Sequence, residues 1–250
     1  MTRYVLEYHL VMYRRVWRGS VLSSFVMPLL TMLGFGVGVG AYVTGGVDGV
    51  PYLDWMVPGL IASTAMQVAV GESTWPVLGG FNWQRNFYAQ AAGPLRVSDI
   101  LDGNLLFVVV RTLITAGAFL AVAAAFGTMH SWWALTTLPI AALVGLAVAT
   151  PTFAFAATIR TDSYLAVLHR LGVIPMSLFS GVFFPVESLP EVLRWIAYAF
   201  PLWHAVDLSR AATLGVAPSW PAAWHLLYLA LWVGVGWVLA LRQFRRRLVV

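Results

Sequence analysis

The sequence predicts an all-α integral membrane protein: six transmembrane helices, an amphipathic interfacial helix before the first, and a re-entrant helical hairpin between the fifth and sixth. Three observations carry this reading. Of 250 residues, 60% are hydrophobic and 10% charged, against roughly a quarter charged in an average soluble domain, and mean hydropathy is +0.80. The apolar residues fall in runs long enough to cross a hydrocarbon core about 30 Å thick at about 1.5 Å per residue. The stretch Leu178 to Arg210 breaks this pattern: it stays apolar through Phe184, turns at Pro185, sets Glu187 and Glu191 around Pro190, and turns again at Pro201 before His204. Such a segment is tolerated at membrane depth only where its free backbone groups are buried in protein or face water. It is therefore read as two short helices dipping into the outer leaflet, a hairpin over 181–208.

Composition also excludes functions. Cysteine is absent and all 15 basic residues are arginine, so neither a disulfide nor a thiolate metal site is open to the chain. A P-loop needs a lysine to reach nucleotide phosphates, so any ATP hydrolysis belongs to another subunit. A pI near 9.9 raises nucleic acid as a partner, but the arginines edge the apolar runs instead of forming one patch. That is the pattern of topology determinants, and no nucleic acid is expected.

Met1 to Ser20 places Leu6, Leu10, Tyr13 and Trp17 at steps of four, three and four, one face of a helix, with Arg3, Arg14, Arg15 and Arg18 beside it. It is expected to lie flat on the cytoplasmic surface. A full-length apolar run follows instead of a short one with a small-residue cleavage site, so the start is read as uncleaved. Val21 to Tyr42 is the first span, and its Gly34/Gly38 and Gly36/Gly40 pairs suggest close helix packing. Thr44 to Asp54, with Asp48, is an outer loop. The second span is about Trp55 to Pro76. Residues 77–102, rich in glycine, amides and charge, are too polar to cross and form a cytoplasmic loop with a short helix. The third span is about Asn104 to Phe126, the fourth Trp133 to Ile159, the fifth Leu171 to Phe184 and the sixth Ala222 to Leu241.

With both termini inside, twelve arginines are cytoplasmic: Arg3, Arg14, Arg15, Arg18, Arg85, Arg96, Arg160, Arg170, Arg242, Arg245, Arg246 and Arg247. Only Arg194 and Arg210 fall outside. That bias sets the orientation. Arg111 sits within the third span and needs a partner there. Glu72, near the inner end of the antiparallel second span, is the candidate, either as a charged gate or as a structural ion pair. Glu187, Glu191 and His204 lack a compact ligand spacing, and no G-x-S-x-G elbow occurs, so no metal site and no catalytic residue are expected.

Several of these residues also carry a resemblance. Phe179 to Pro190, FSGVFFPVESLP, followed by Pro201 to His204, PLWH, and by Arg210, resembles the type-2 ABC exporter permease family. Glu72 to Leu105 resembles more narrowly the permeases of nodulation-type lipo-oligosaccharide exporters and their drug-exporting relatives. The resemblance implies one six-helix half of a dimer, completed by a second copy or a paralogue. Two copies of a separate ATPase, holding ATP and Mg, would drive it from the bacterial cytoplasmic membrane. The cargo would be amphipathic: a lipo-oligosaccharide, a polysaccharide-lipid or a hydrophobic drug. By the same resemblance Asn82 to Pro94 is a coupling helix on the ATPase, with Asn82, Arg85, Phe87, Gly93 and Pro94 as its residues. Asn86, Phe87 and Tyr88 depart from the acidic and apolar run frequent there. The hairpin, with Phe184, Pro185, Glu187, Pro190, Pro201, His204 and Arg210, would close the exit. A hydrophobic-drug efflux permease is the alternative. A lipid-modifying intramembrane enzyme would need a converging charged constellation that the sequence does not show.

Overall fold

The computed structural model describes residues 1–249 except 41, 44 and 48, and all their side chains except those of 20–23 and 37. Thr44 and Asp48 of the expected outer loop thus lie outside the described residues. Eleven α-helices follow one another, and no strand occurs among the described residues. They are α1 (Thr2–Thr31), α2 (Tyr52–Ser73), α3 (Trp75–Asn82), α4 (Asn86–Ala91), α5 (Val97–Ala125) and α6 (Thr137–Thr158). The remainder are α7 (Ser163–Leu168), α8 (Ile174–Phe179), α9 (Glu191–Ala199), α10 (Pro201–Leu214) and α11 (Ala222–Leu248). Among the described residues four helices are long and apolar enough to cross a membrane: 52–82, 97–125, 132–158 and 222–248. A fifth, the bent pair Thr2–Gly19 and Ser24–Gly36, qualifies if taken as one span.

Local chemistry explains the element ends. Pro51, Pro190 and Pro221 stand in extended conformation immediately before α2, α9 and α11, where a residue without an N–H costs no helical bond. Asp99 accepts a bond from the Arg96 N–H at 3.1 Å and so caps α5. Pro201 starts α10, and Gly215 stops it at φ +71°, a left-handed conformation that glycine adopts without a Cβ clash. Arg245, Arg246 and Arg247 occupy the last turn of α11, where the helix dipole favours cations.

Helices α2, α5, α6, α10 and α11 form the bundle, and its core has two layers. One, around Trp55, Met56, Ile61, Phe119, Val144 and Val206, joins α2, α5, α6 and α10. The other, around Phe81, Phe87, Phe153 and Phe244, lies at the end that carries both chain termini. The α6–α11 crossing depends on Gly236, where a Cβ would overlap the Thr150 hydroxyl and stand 2.7 Å from the Pro151 nitrogen. Overpacking of this kind costs about 1–3 kcal/mol. Gly236→Ala is therefore expected to lower the melting temperature in detergent, whereas Gly234→Ala, with nothing within 4 Å of its added Cβ, leaves it unchanged.

Several boundaries differ from expectation. The fifth span, expected at Leu171 to Phe184, is instead the apolar helical run Ser163–Phe179, below the length of the four long helices. It starts earlier and takes in His169 through a π-helical turn at His169–Val173, and Gly181 at φ +76° lies just beyond its end. At about 1.5 Å per residue it reaches roughly 25 Å, short of the core. α10 runs to Leu214, beyond the hairpin end expected at 208, because nothing before Gly215 breaks it.

Met1 to Ser20 does not lie apart from the bundle. Its first three turns run beside α5 in the same direction, in matched steps of four. The Met1 ammonium and the Thr2 hydroxyl both donate to Asp99 Oδ1 at 3.0 Å, Val5 fills the space left by Gly103, and His9 stacks on Phe107 with centroids 4.9 Å apart. The Arg111 guanidinium lies 4.8 Å over the Tyr13 ring. The packed face is thus Val5, His9 and Tyr13, while Trp17 on the expected face is 46% exposed. The two glycine pairs differ: added Cβ atoms at Gly34 and Gly38 meet nothing within 4 Å, whereas one at Gly36 would overlap the Leu53 side chain and one at Gly40 the Gly36 carbonyl, so close packing falls to the second pair and to glycines such as 103 and 236.

Candidate functional site

Three places gather the residues singled out by the sequence. The first is the loop between α3 and α5, at the end of the bundle carrying the termini. Asn82 is tied inward, donating to the Arg160 carbonyl at 2.8 Å and accepting from the Arg247 guanidinium at 2.9 Å. Phe87 is buried to 2% exposure and meets Phe81 and Phe244 with ring centroids 4.8 and 5.4 Å away. It anchors α4 and offers no surface to a partner. Gly93 and Pro94 are exposed in the turn after α4. Arg85 precedes α4, exposed and left-handed at φ +53°, the one non-glycine residue with positive φ among those described. Holding a residue with a Cβ there costs about 1–3 kcal/mol. Arg85, Arg160 and Arg247 line an open cleft of about 570 Å³ with Phe81, Asn82 and Tyr88.

The second place is the pair inside the bundle flank. Arg111 Nε donates to Glu72 Oε1 at 2.9 Å, with side chains 18% and 24% exposed. The geometry that puts them together is the antiparallel packing of α2 on α5, and the pairing the sequence proposed is the one observed.

The third is the segment after α8. Arg210 on α10 donates through Nε to the Trp55 carbonyl at 3.1 Å and through a terminal nitrogen to the Gly181 carbonyl at 2.7 Å. Its guanidinium lies 3.8 Å over the Trp55 ring. One side chain therefore joins α2, α10 and the turn beyond α8. The Tyr52 hydroxyl adds a bond to the Phe183 carbonyl at 3.1 Å. Phe184 and Pro185 are half-buried, while Glu187 and Pro190 are exposed. The exposed edge is held by Arg194, which donates to the Glu187 carbonyl at 2.6 Å. Pro201 begins a buried run through Ser209.

His204 within that run belongs to a network that the sequence reading missed. Its Nε2 faces the Tyr198 carbonyl at 3.0 Å, and a carbonyl requires a donor. His204 Nε2 therefore carries the proton, and its Nδ1 is left to accept from His225 Nδ1 at 2.9 Å. The other nitrogen of His225 lies 3.2 Å from Asp207 Oδ2, off the line of a good hydrogen bond. Asp207 also accepts from the Ser219 N–H at 2.8 Å and the Ser219 hydroxyl at 2.7 Å. Trp203 and Trp220 pack around the pair, and the His204 ring stacks on Tyr228 at 4.1 Å. His225 is 0% exposed. Two signals pointed to it: a lone histidine in an apolar span is functional or paired by default, and Asp207 follows His204 by three residues, on the same helical face. Asp207, Arg210 and Glu187 line a cavity of about 210 Å³. Among the described residues no three histidine or carboxylate groups converge as metal ligands do.

The sequence matches the family model described as ABC-2 type transporter over residues 2–214. Among curated proteins it is similar to Nodulation protein J of Rhizobium leguminosarum bv. viciae, 31% identical over 230 residues, covering 92% of this chain and 88% of that one. Nodulation protein J of R. leguminosarum bv. trifolii is 30% identical over 239 residues, 96% of this chain and 90% of the relative. Nodulation protein J of Rhizobium meliloti strain 1021 is 29% identical, over 95% and 90%.

Proposed function

Because the chain belongs to the ABC-2 type transporter family, we propose that it is the permease of a lipo-oligosaccharide exporter, carrying an amphipathic glycolipid outward across the bacterial cytoplasmic membrane. The observation that carries the choice of cargo is the match of more than nine-tenths of the chain to Nodulation protein J. The family is the membrane component of an ABC transporter, paired with a separate ATPase. Two copies of that ATPase, binding ATP and Mg, and a second permease copy or paralogue would complete the machine.

In this reading the bent N-terminal helix and the short run Ser163–Phe179 join the four long helices as spans, giving six crossings with both termini cytoplasmic. The arginine asymmetry supports that orientation. The exposed Leu10 and Trp17 would face lipid along the inner half of that bent first span, where residues 1–20 run beside α5 instead of lying flat on the surface. Residues 181–208 would form the re-entrant hairpin in the outer leaflet, tied down by Arg210 and the histidine pair, so that its release opens the exit. Residues 77–102 would carry the coupling helix. There Arg85, with Gly93 and Pro94, is the contact surface, and Phe87 and Asn82 transmit movement by tying α4 to α3 and α11.

The strained backbone at Arg85 separates coupling from stability. Arg85→Gly is expected to raise stability by about 1 kcal/mol, because glycine adopts the left-handed region freely. It is expected at the same time to lower substrate-stimulated ATP turnover of the purified complex severalfold. Unchanged turnover in that variant would remove Arg85 from the coupling surface.

A further inference from the structure

At the end of the bundle that carries both termini, three arginines from separate parts of the chain meet at one space. Arg160 just beyond α6, Arg247 in the last turn of α11 and Arg85 before α4 line the cleft of about 570 Å³ with Phe81, Asn82 and Tyr88. No carboxylate lines it, and among the described residues none of the three arginines pairs with one. One chain of bonds holds the site in shape. Arg247 donates through one terminal nitrogen to Asn82 Oδ1 at 2.9 Å and through the other to the Ile159 carbonyl at 3.4 Å. Its guanidinium lies 4.6 Å over the Phe81 ring. Asn82 in turn donates to the Arg160 carbonyl at 2.8 Å, so the backbone carrying Arg160 is tied to the same group. A guanidinium has five N–H donors, and these bonds leave most of the donors at the cleft open to a ligand.

The charge selects the ligand class. Like charges gathered without a counter-ion repel one another, and an anion with several acceptor oxygens relieves that repulsion. A neutral sugar or an apolar chain does not, and a zwitterionic headgroup brings its own cation into the same space. A phosphodiester presents its oxygens to the guanidinium forks. Depth selects the source. Counted from Ala222 at the opposite edge of the hydrocarbon, Arg247 is 25 residues on, about 38 Å along α11 at about 1.5 Å per residue. That lies beyond a core about 30 Å thick and within the headgroup layer that brings the bilayer to about 40–45 Å. Trp83, two residues before Arg85, is 61% exposed, as an interfacial tryptophan is. Arginine clusters at the inner face attract anionic lipid. We infer that this cleft binds the phosphate of a net-anionic inner-leaflet phospholipid of the phosphatidylglycerol type, bridging α6, α11 and the loop that leads into α4. The inference takes its orientation from the exporter reading above, and the lipid is a resident of the membrane, distinct from the cargo.

The test uses the full chain in phosphatidylcholine nanodiscs doped with phosphatidylglycerol carrying a diazirine on its headgroup glycerol. Labelled peptides are expected from 81–88, 158–162 and 244–248. Unlabelled phosphatidylglycerol is expected to displace the label, soluble glycerol phosphate is not, and a phosphatidylcholine probe with its diazirine on the headgroup should label severalfold less. Arg160 is exposed and takes part in the bond chain through its backbone carbonyl alone. Arg160→Gln is therefore expected to weaken labelling about tenfold, the scale of one lost charge-assisted hydrogen bond, at an unchanged melting temperature. Arg245 and Arg246 share the last turn of α11 but do not line the cleft, so Arg245→Gln with Arg246→Gln retains most of the label. A loss in that double variant as large as in Arg160→Gln overturns the inference in favour of diffuse surface charge. Equal labelling by the phosphatidylcholine probe, or displacement by glycerol phosphate as strong as by phosphatidylglycerol, overturns it as well. Labelling is expected to survive addition of the cognate ATPase, and its abolition would assign the arginines to a protein contact instead. Export measured on the same chain keeps the two readings apart. Export without labelling refutes the lipid site alone, and labelling without export refutes the exporter while supporting the site.

Discussion

Glu72→Gln is expected to abolish most export and to lower the amount of correctly inserted protein. The variant leaves Arg111 without its carboxylate at the flank of two packed helices. An arginine at a helix centre in the membrane costs about 2.5–3.5 kcal/mol on insertion scales and more by simulation. Since 1.4 kcal/mol is a factor of about ten, even the low figure reduces the functional population severalfold or more. Tyr13 softens the loss, because its ring still faces the guanidinium at 4.8 Å. The charge swap Glu72→Arg with Arg111→Glu restores a pair of the same net charge and should recover insertion. Export should recover with it only if the direction of the pair is immaterial to the cargo. Insertion level by membrane fractionation and export rate in the same cells are the measurements, and wild-type values for both in Glu72→Gln would remove the pair from structure and transport alike.

Asp207→Asn is expected to be the most destabilising single change at the far end of the bundle. It deletes the negative charge beside a fully buried His225 and turns an amide N–H₂ or carbonyl toward donors from Ser219 that lie 2.7–2.8 Å from the native carboxylate. The cost of leaving a buried group uncompensated is about 3–5 kcal/mol, seen as a loss of melting temperature in detergent. Replacing both partners, as in Asp207→Leu with His225→Leu, removes the charge and its need together, and is expected to cost less than the single change. A double change as damaging as the sum of the two singles would show that the groups do not interact. The His204 ring, stacked on Tyr228 and bonded to Tyr198, would then serve only as packing.

The fold class and most spans were legible because hydrophobic length is a direct physical requirement of the bilayer. The Glu72–Arg111 pair was legible for the same reason, since an arginine at depth demands a partner and only an antiparallel neighbour at like height supplies one. Helix ends set by single residues were less so. α10 continues past Ser209 because Gly215 is the first residue that breaks it, and the run Ser163–Phe179 passes through His169 and Arg170, which look like loop residues by charge alone. The packing of α1 on α5 depends on Val5 fitting against Gly103, a pairing across 98 positions that no local period reveals. The resemblance implies a coupling role for Phe87, yet its ring is consumed by Phe81 and Phe244. The histidine network joins residues 198, 204, 207, 219 and 225 across a loop and three helices, and only three-dimensional packing brings them together.

The central claim is that this chain moves a glycolipid outward on energy supplied by another polypeptide. Inside-out vesicles carrying the chain with its cognate ATPase test it most directly, loaded externally with a radiolabelled neutral lipo-oligosaccharide and given ATP. The account predicts ATP-dependent accumulation of the glycolipid inside the vesicles, lost when either polypeptide is omitted. Accumulation without the ATPase, or ATP-dependent movement of a hydrophobic drug with none of the glycolipid, would contradict it.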